Sequence, residues 1–123
     1  PEAMVMRHIG HQVEHARERM RRQGIDPDKI PWDYAKLIPE LRPESEKAVR
    51  RALLLQAIAE REAIKPEDAE VDMEIERLAQ ATQRPVPAVR RMMEKSGELE
   101  SLRAGLREKK TVEFLIRHAN VNA

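Results

Sequence analysis

Three consecutive leucines inside a helical stretch constrain this chain more than any other segment: Leu53, Leu54 and Leu55, within RALLLQAIAEREAI at 51–64. A helix turns about 100° per residue, so three neighbours point in three directions. Ile58 and Ala59 fill the gaps between them. No single buried stripe can use all of these side chains. A helix that is apolar all round is either enclosed by neighbours or offers a second apolar face to something else. The segment therefore reads as a spine between two packing surfaces. On that reading Leu54 is a core residue, and Leu54→Asp should unfold the domain by burying an unpaired charge.

The rest of the chain has little with which to cover such a spine. Aromatic residues make up 2% of the 123 positions, so the core must come from Leu, Ile, Val, Ala and Met. Charged residues make up 37%, yet the formal net charge is only +1. That balance argues against strong electrostatic capture of nucleic acid or of an anionic membrane. The absence of cysteine removes disulfides and thiolate metal sites. With no signal-like or membrane-spanning apolar run, the default location is the cytoplasm. The chain opens on Pro1-Glu2-Ala3 without Met, which suggests a piece of something longer.

Periodicity predicts an all-α fold of one domain over 1–123. A first helix over about 2–23 carries the stripe Val5, Ile9, Val13, Ala16 and Met20, and Gly24 stops it. A turn-rich connector, IDPDKIP, follows. Pro31 opens a short helix that Pro39 ends, with Tyr34, Leu37, Ile38 and Leu41 on one face and Trp32 opposite. Pro43 opens the spine helix, placed at about 43–63. Pro66 opens a helix with the stripe Val71, Ile75, Leu78 and Thr82. Pro85 or Pro87 opens a short helix aligning Val86, Val89 and Met93. Ser96 is a candidate N-cap for a last helix to about Ala119, with Glu98 in its first turn. The apolar face of that helix shifts from Leu99, Leu102 and Leu106 to Val112, Leu115, Ile116 and Ala119. A helix packing on two surfaces fits an elongated arrangement.

Catalytic signatures are missing. There is no phosphate-binding loop or dinucleotide fingerprint, and Ser45, Ser96 and Ser101 lie in no nucleophile motif. Carboxylates alternate with Lys and Arg as on solvated helix faces. His8, His11 and His15 fall at spacings of three and four on the first helix, a pattern that can chelate zinc. A working site would want a further ligand, for which Glu18 is near enough, and a second shell. The alternative is a row of exposed polar residues, and no metal or other cofactor is assigned. His118 sits where it can serve the last helix's terminal carbonyls.

Several apolar side chains fall off their helix's stripe: Met4, Trp32, Met73, Met92 and Phe114. Scattered exposed apolar residues are normal. Together, set among charges, these lean toward adaptable apolar binding, which methionine suits. With Ile9, Val13, Met20, Tyr34 and Leu37 they form the candidate peptide-binding set. Replacing Met4, Met73, Met92 and Phe114 together by Ser should weaken capture of a bound chain and leave helix content intact.

The order of segments resembles the C-terminal domain of bacterial trigger factor. LLLQAIAERE at 53–62 and KSGELESLRAGLREKKTVEFLIRHANV at 95–121 carry the likeness most specifically, and it spans nearly the whole chain. Locally, Ala52 stands where relatives often carry Gly, and Met92-Met93 where an aromatic is common. The resemblance implies a ribosome-associated, ATP-independent folding chaperone whose helical domain has a long central spine and two arms. Periplasmic SurA-type chaperones share a similar module. Residues 1–42 would then be the first arm with its connector, 43–64 the spine, and 65–123 the second arm with its return helix. The implied partners are unfolded or nascent polypeptides. The family's ribosome-docking signature G-F-R-x-G-x-x-P does not occur here, and an isomerase domain has no room. This chain is therefore expected to reach the ribosome only through segments it lacks, and not to be an enzyme. Self-association into a homodimer stays open.

The rival reading is a helical oligomerisation or adaptor module whose apolar spots mate with one specific partner. A nucleic-acid reading would rest on the run Arg17 to Arg22, but Glu14 and Glu18 offset it and no aromatics are interleaved. Neither nucleic acid nor membrane is expected as a partner.

Overall fold

A computed structural model describes residues 1–121, with side chains to Ala119. Among the described residues every regular element is helical. Helix α1 covers Glu2–Arg22. Its end is held by two backbone bonds, Ile25 N–H to the Met20 carbonyl at 2.8 Å and Gly24 N–H to Arg21 at 3.1 Å. Gly24 takes φ +79°, the left-handed conformation that this double closure needs. A 3₁₀ turn follows at Pro27–Lys29, where the Asp26 carboxylate accepts the Asp28 N–H at 3.0 Å.

The next helix corrects an expectation. One helix, α2, runs without interruption over Tyr34–Arg61 and contains both Pro39 and Pro43. Asp33 starts it, accepting the Lys36 N–H on its side chain at 3.3 Å and the Leu37 N–H on its carbonyl at 2.9 Å. A proline inside a helix removes one backbone bond and crowds the carbonyl four residues back, at about 3 kcal/mol or more. Here the two prolines are four residues apart and both are exposed, so the damage is confined to the solvent side. On the other side Ile38, Leu41 and Val49 pack with α1, and that packing is available only if the helix continues.

Helix α2 ends with Ala63 at φ +53° and the Ile64 N–H on the Ala59 carbonyl at 2.8 Å. Helix α3 spans Asp68–Thr82, and the Glu70 carboxylate reaches back to the Glu67 N–H at 3.0 Å. Helix α4 covers Val86–Ser96, with Pro87 in its first turn where a missing N–H costs nothing. Gly97, at φ +82°, is the only residue between α4 and α5, which spans Glu98–Val121. Ser96 thus closes α4 instead of standing alone as a cap. Its hydroxyl still accepts the Glu98 N–H at 3.3 Å, so the local capping chemistry expected of it is present one turn boundary earlier.

The chain divides into two compact units, Pro1–Leu54 and Leu55–Ala123, and the division falls within α2. The first is organised around buried Val5, Ile9 and Val49, with Met4, Val13, Ile38 and Leu41 packed against them. The second is organised around Val71, Ile75, Ala79, Val89 and Met93, flanked by Leu78, Leu99, Leu102 and Leu106. The stripes read from periodicity therefore face inward. Some members differ: Thr82 is exposed and bonds the Leu78 carbonyl at 2.8 Å, while Ala79 takes the buried place; Tyr34 and Val86 are exposed at the starts of their helices, and Leu115, Ile116 and Ala119 are exposed on the late face of α5.

Candidate functional site

The surface carries most of its large apolar exposure at particular points of four helices. Met73 on α3 is 70% exposed, Leu54 on α2 60%, and Ile116 on α5 54%. Tyr34, Met92, Leu53 and Leu115 are also exposed. Leu54 overturns the reading of it as a core residue. In the leucine triplet only Leu55 is buried, and Leu53 and Leu54 face outward. The triplet does make two apolar faces, and the second is left open in the first unit.

The ten candidate contact residues divide by environment. Tyr34, Met73 and Met92 are exposed, as a contact surface requires. Met4, Val13, Met20, Trp32, Leu37 and Phe114 are half-buried. Ile9, 2% exposed, is an interior residue of the first unit and is closed to a bound chain. It was on the apolar stripe, and the stripe packs against Val49. Met4 also belongs largely to that packing, because α2 passes close enough to catch a side chain one step off the stripe. Phe114 rests on His118 with ring centres 4.0 Å apart. The His118 Nδ1 lies 2.9 Å from the Phe114 carbonyl, consistent with service to late carbonyls of α5.

Trp32 precedes α2 and does not lie opposite Tyr34. The two rings stack at 6.3 Å and 13°, and the indole Nε1–H donates to the Pro27 carbonyl at 2.8 Å. The aromatic pair is thereby fixed to the 3₁₀ turn, with the Tyr34 ring outward. In the second unit, Arg84 Nη1 lies 3.5 Å from Met92 Sδ, so a charge borders that apolar spot. Leu54 and Ile116 lie outside the candidate set although they are among the most exposed large apolar side chains. The signals were the leucine triplet and the shifted second face of α5.

The histidine row separates. His8 turns toward α2, with Nδ1 2.9 Å from the Ser45 hydroxyl, and that hydroxyl donates to Gln12 Oε1 at 3.3 Å. His11 and His15 remain exposed. Among the described residues no three His, Cys, Asp or Glu side chains converge as a metal ion would need. Beside His8 and His11 lies a groove of about 210 Å³ lined also by Met4, Arg7, Ala48, Val49 and Ala52. A larger cleft of about 780 Å³ lies in the second unit, between the start of α3 and Arg103, Arg107 and Lys110 of α5.

Ion pairs tie the helices of each unit. Arg42 grips Glu2 through both guanidinium nitrogens at 2.9 and 2.8 Å and holds that carboxyl below its usual range. Lys110 donates to Glu70 at 2.6 Å, and this bond, then the Glu67 N–H, lowers the Glu70 carboxyl likewise. Among the described residues no helix is long and apolar enough to cross a membrane.

Comparison with known proteins gives one consistent result. A family model described as bacterial trigger factor protein (TF) C-terminus matches residues 1–117. The trigger factor of Solibacter usitatus is 36% identical over 123 residues, covering 100% of this chain and 29% of that protein. Trigger factors of Pelotomaculum thermopropionicum and of an Anaeromyxobacter species are 35% and 36% identical, each over 98% of this chain and 28% of theirs. The chain thus spans under a third of the length of these relatives. No solved structure matches.

Proposed function

The chain belongs to the family of bacterial trigger factor C-termini, and on that premise we propose that it holds exposed apolar segments of unfolded or nascent polypeptides without ATP. The observation that carries this reading is the open apolar set Met73, Leu54, Ile116, Tyr34 and Met92, distributed over helices that are otherwise charged. A polypeptide segment laid on such a spot removes apolar area from water, worth about 25 cal/mol per Å². Each spot is small, so each contact is weak and exchanges readily. Several contacts on one client reinforce one another through their high effective concentration. The surrounding Lys, Arg, Glu and Asp keep the empty surface soluble. Methionine side chains adapt to varied partners, which suits holding many sequences better than one.

The work is binding and not bond chemistry. Prolyl isomerisation and ribosome docking, which the family resemblance implies for a whole trigger factor, are assigned here to segments outside these residues. The proposed site of action is the cytoplasm.

The test is light scattering of an aggregating client with and without the chain, paired with NMR of the chain against a permanently unfolded protein. Suppressed aggregation, with line broadening at Met73, Met92 and Leu54, is expected. Unchanged aggregation and an unperturbed spectrum would defeat the reading. A tight, defined oligomer with no affinity for unfolded chains would favour the adaptor alternative, in which the same residues meet one partner.

A further inference from the structure

We propose that the outward face of α1, with the groove beside it, is a docking strip for polypeptide segments that pair an apolar residue with neighbouring carboxylates. The proposal rests on the holding function above and gives one of its surfaces a client chemistry.

The strip is built by spacing. Arg7, His11, His15 and Arg19 recur every four residues, and Arg22 follows three later. At 3.6 residues per turn these fall on one face, and the fifteen steps from Arg7 to Arg22 carry them over about 22 Å. All five are exposed. Among the described residues none of their side chains makes a hydrogen bond or an ion pair. The basic residues on the flank behave differently. Arg17 is held by Asp28 and Glu14, and Arg21 by Glu14 and Glu18. The helix thus sorts its basic groups into a neutralised row and a row left open. Glu18 borders the open row beside His15, Arg19 and Arg22, but its carboxylate is engaged by Arg21 at 3.0 Å.

At the N-terminal end the strip borders the groove floored by Val49, with Ala48 and Ala52 on the α2 side and Met4 on the α1 side. The small alanines leave the room there. An apolar side chain fits that depression while carboxylates downstream meet Arg7, Arg19 and Arg22. The groove is what selects a polypeptide over a nucleic acid. A single-stranded nucleic acid would want aromatic platforms for its bases, and α1 contains none. Exposed charge contacts are individually weak and depend on salt, so the strip acts by summing several and by steering approach.

The experiment uses the full chain and two labelled, unstructured peptides. One places leucine ahead of spaced glutamates, and the other replaces every glutamate by glutamine. The acidic peptide is expected to bind about tenfold tighter at low salt, with the advantage lost as added salt shortens the screening length to a few Å, about 3 Å at 1 M. The combined change Arg19→Glu and Arg22→Glu, both outside the groove lining, should abolish the preference and leave the glutamine peptide's affinity unchanged, with helix content checked by circular dichroism. Equal binding of the two peptides by the original chain would overturn the strip and leave the holding function standing. Failure to bind either peptide would overturn the strip, and the aggregation assay then reports on holding separately. An oligonucleotide that displaces the acidic peptide and binds more tightly would overturn the polypeptide assignment.

Discussion

The two units bury their interiors in different ways. The first, Pro1–Leu54, places a polar group at its centre: Ser45 is fully buried between α1 and α2. Its one hydroxyl proton goes to Gln12, so His8 must donate from Nδ1 to the same oxygen. The second unit sets five apolar residues in its core and flanks them with four leucines; its own fully buried hydroxyl, that of Thr111, donates to the Arg107 carbonyl one turn back in the same helix at 2.8 Å and so joins no second element. A satisfied polar group fixes geometry but adds little net stability, while apolar area adds stability without direction. The first unit is therefore the more specified and the second the more strongly held. This difference also fits the surfaces, because the groove and basic strip lie on the unit whose core is smaller.

The sharpest way to break the comparison lies at the boundary within α2. Leu55→Asp should cost on the order of 4 kcal/mol, because a carboxylate would be placed at a position 6% exposed. Its neighbour behaves oppositely: Leu54→Asp should change stability by no more than about 0.5 kcal/mol and act instead on client capture. Urea titration of both variants, with the aggregation assay on the second, separates packing from binding. The same logic replaces the fourfold serine change. Met4 and Phe114 are half-buried, so serine there would disturb packing, and Met73→Ser with Met92→Ser is the cleaner probe.

Next come the two centres. Ile75 is completely enclosed, and Ile75→Ala should remove about 3 kcal/mol through lost burial and the cavity left behind. Ser45→Ala should cost less, about 1–2 kcal/mol. It strands the donor of His8 and the acceptor of Gln12, yet both side chains are only half-buried and can turn toward water. Amide hydrogen exchange should show protection lost in α3 and α4 for the first change and in α1 for the second. Equal effects spread over both units would show that the chain unfolds as one block.

Much of this fold was legible because periodicity reports burial. Val5 and Ile9, Val71 and Ile75, and Val89 and Met93 each occupy the inward face that their spacing predicts. Gly24 ends its helix as expected. Pro39 misled, because proline's local penalty is visible in sequence while the tertiary packing that outweighs it is not. The leucine triplet showed that no single stripe could bury all three, but periodicity assigned Leu54 to the core and the structure encloses Leu55 instead. The Ser45–His8 contact joins residues 37 positions apart, and neither residue's own helix pattern announces it. For the candidate surface, off-stripe position correctly exposed Met73 and Met92 but could not foresee a second helix reaching Met4.

A gain in stability is expected at two helix ends. Ala63 and Gln83 occupy the left-handed position that Gly24 and Gly97 occupy without steric cost. Ala63→Gly or Gln83→Gly should stabilise by about 0.5–1 kcal/mol, relief of backbone crowding outweighing the greater freedom of the unfolded chain. Thermal unfolding measures it. Because both ends belong to the second unit, the gain should appear there and leave amide protection in α1 unchanged.

The smallest effect concerns the ion pairs that clasp each unit, Glu2 with Arg42 and Glu70 with Lys110. Both carboxyls are depressed in the folded chain. A depressed folded value means that the stabilisation is present above the ordinary carboxylate range and is lost as pH falls through the folded value. Both groups are solvent-accessible, so the contribution is small and shrinks with salt. The two should nevertheless respond differently when their cation is removed. With Arg42→Gln the main cause of the Glu2 depression goes, and NMR titration should find its carboxyl close to an ordinary glutamate. With Lys110→Met the Glu70 carboxyl still accepts the Glu67 N–H, so part of its depression should persist. Full recovery at Glu70 would show that the turn before α3 is closed by Lys110 and not by its own backbone.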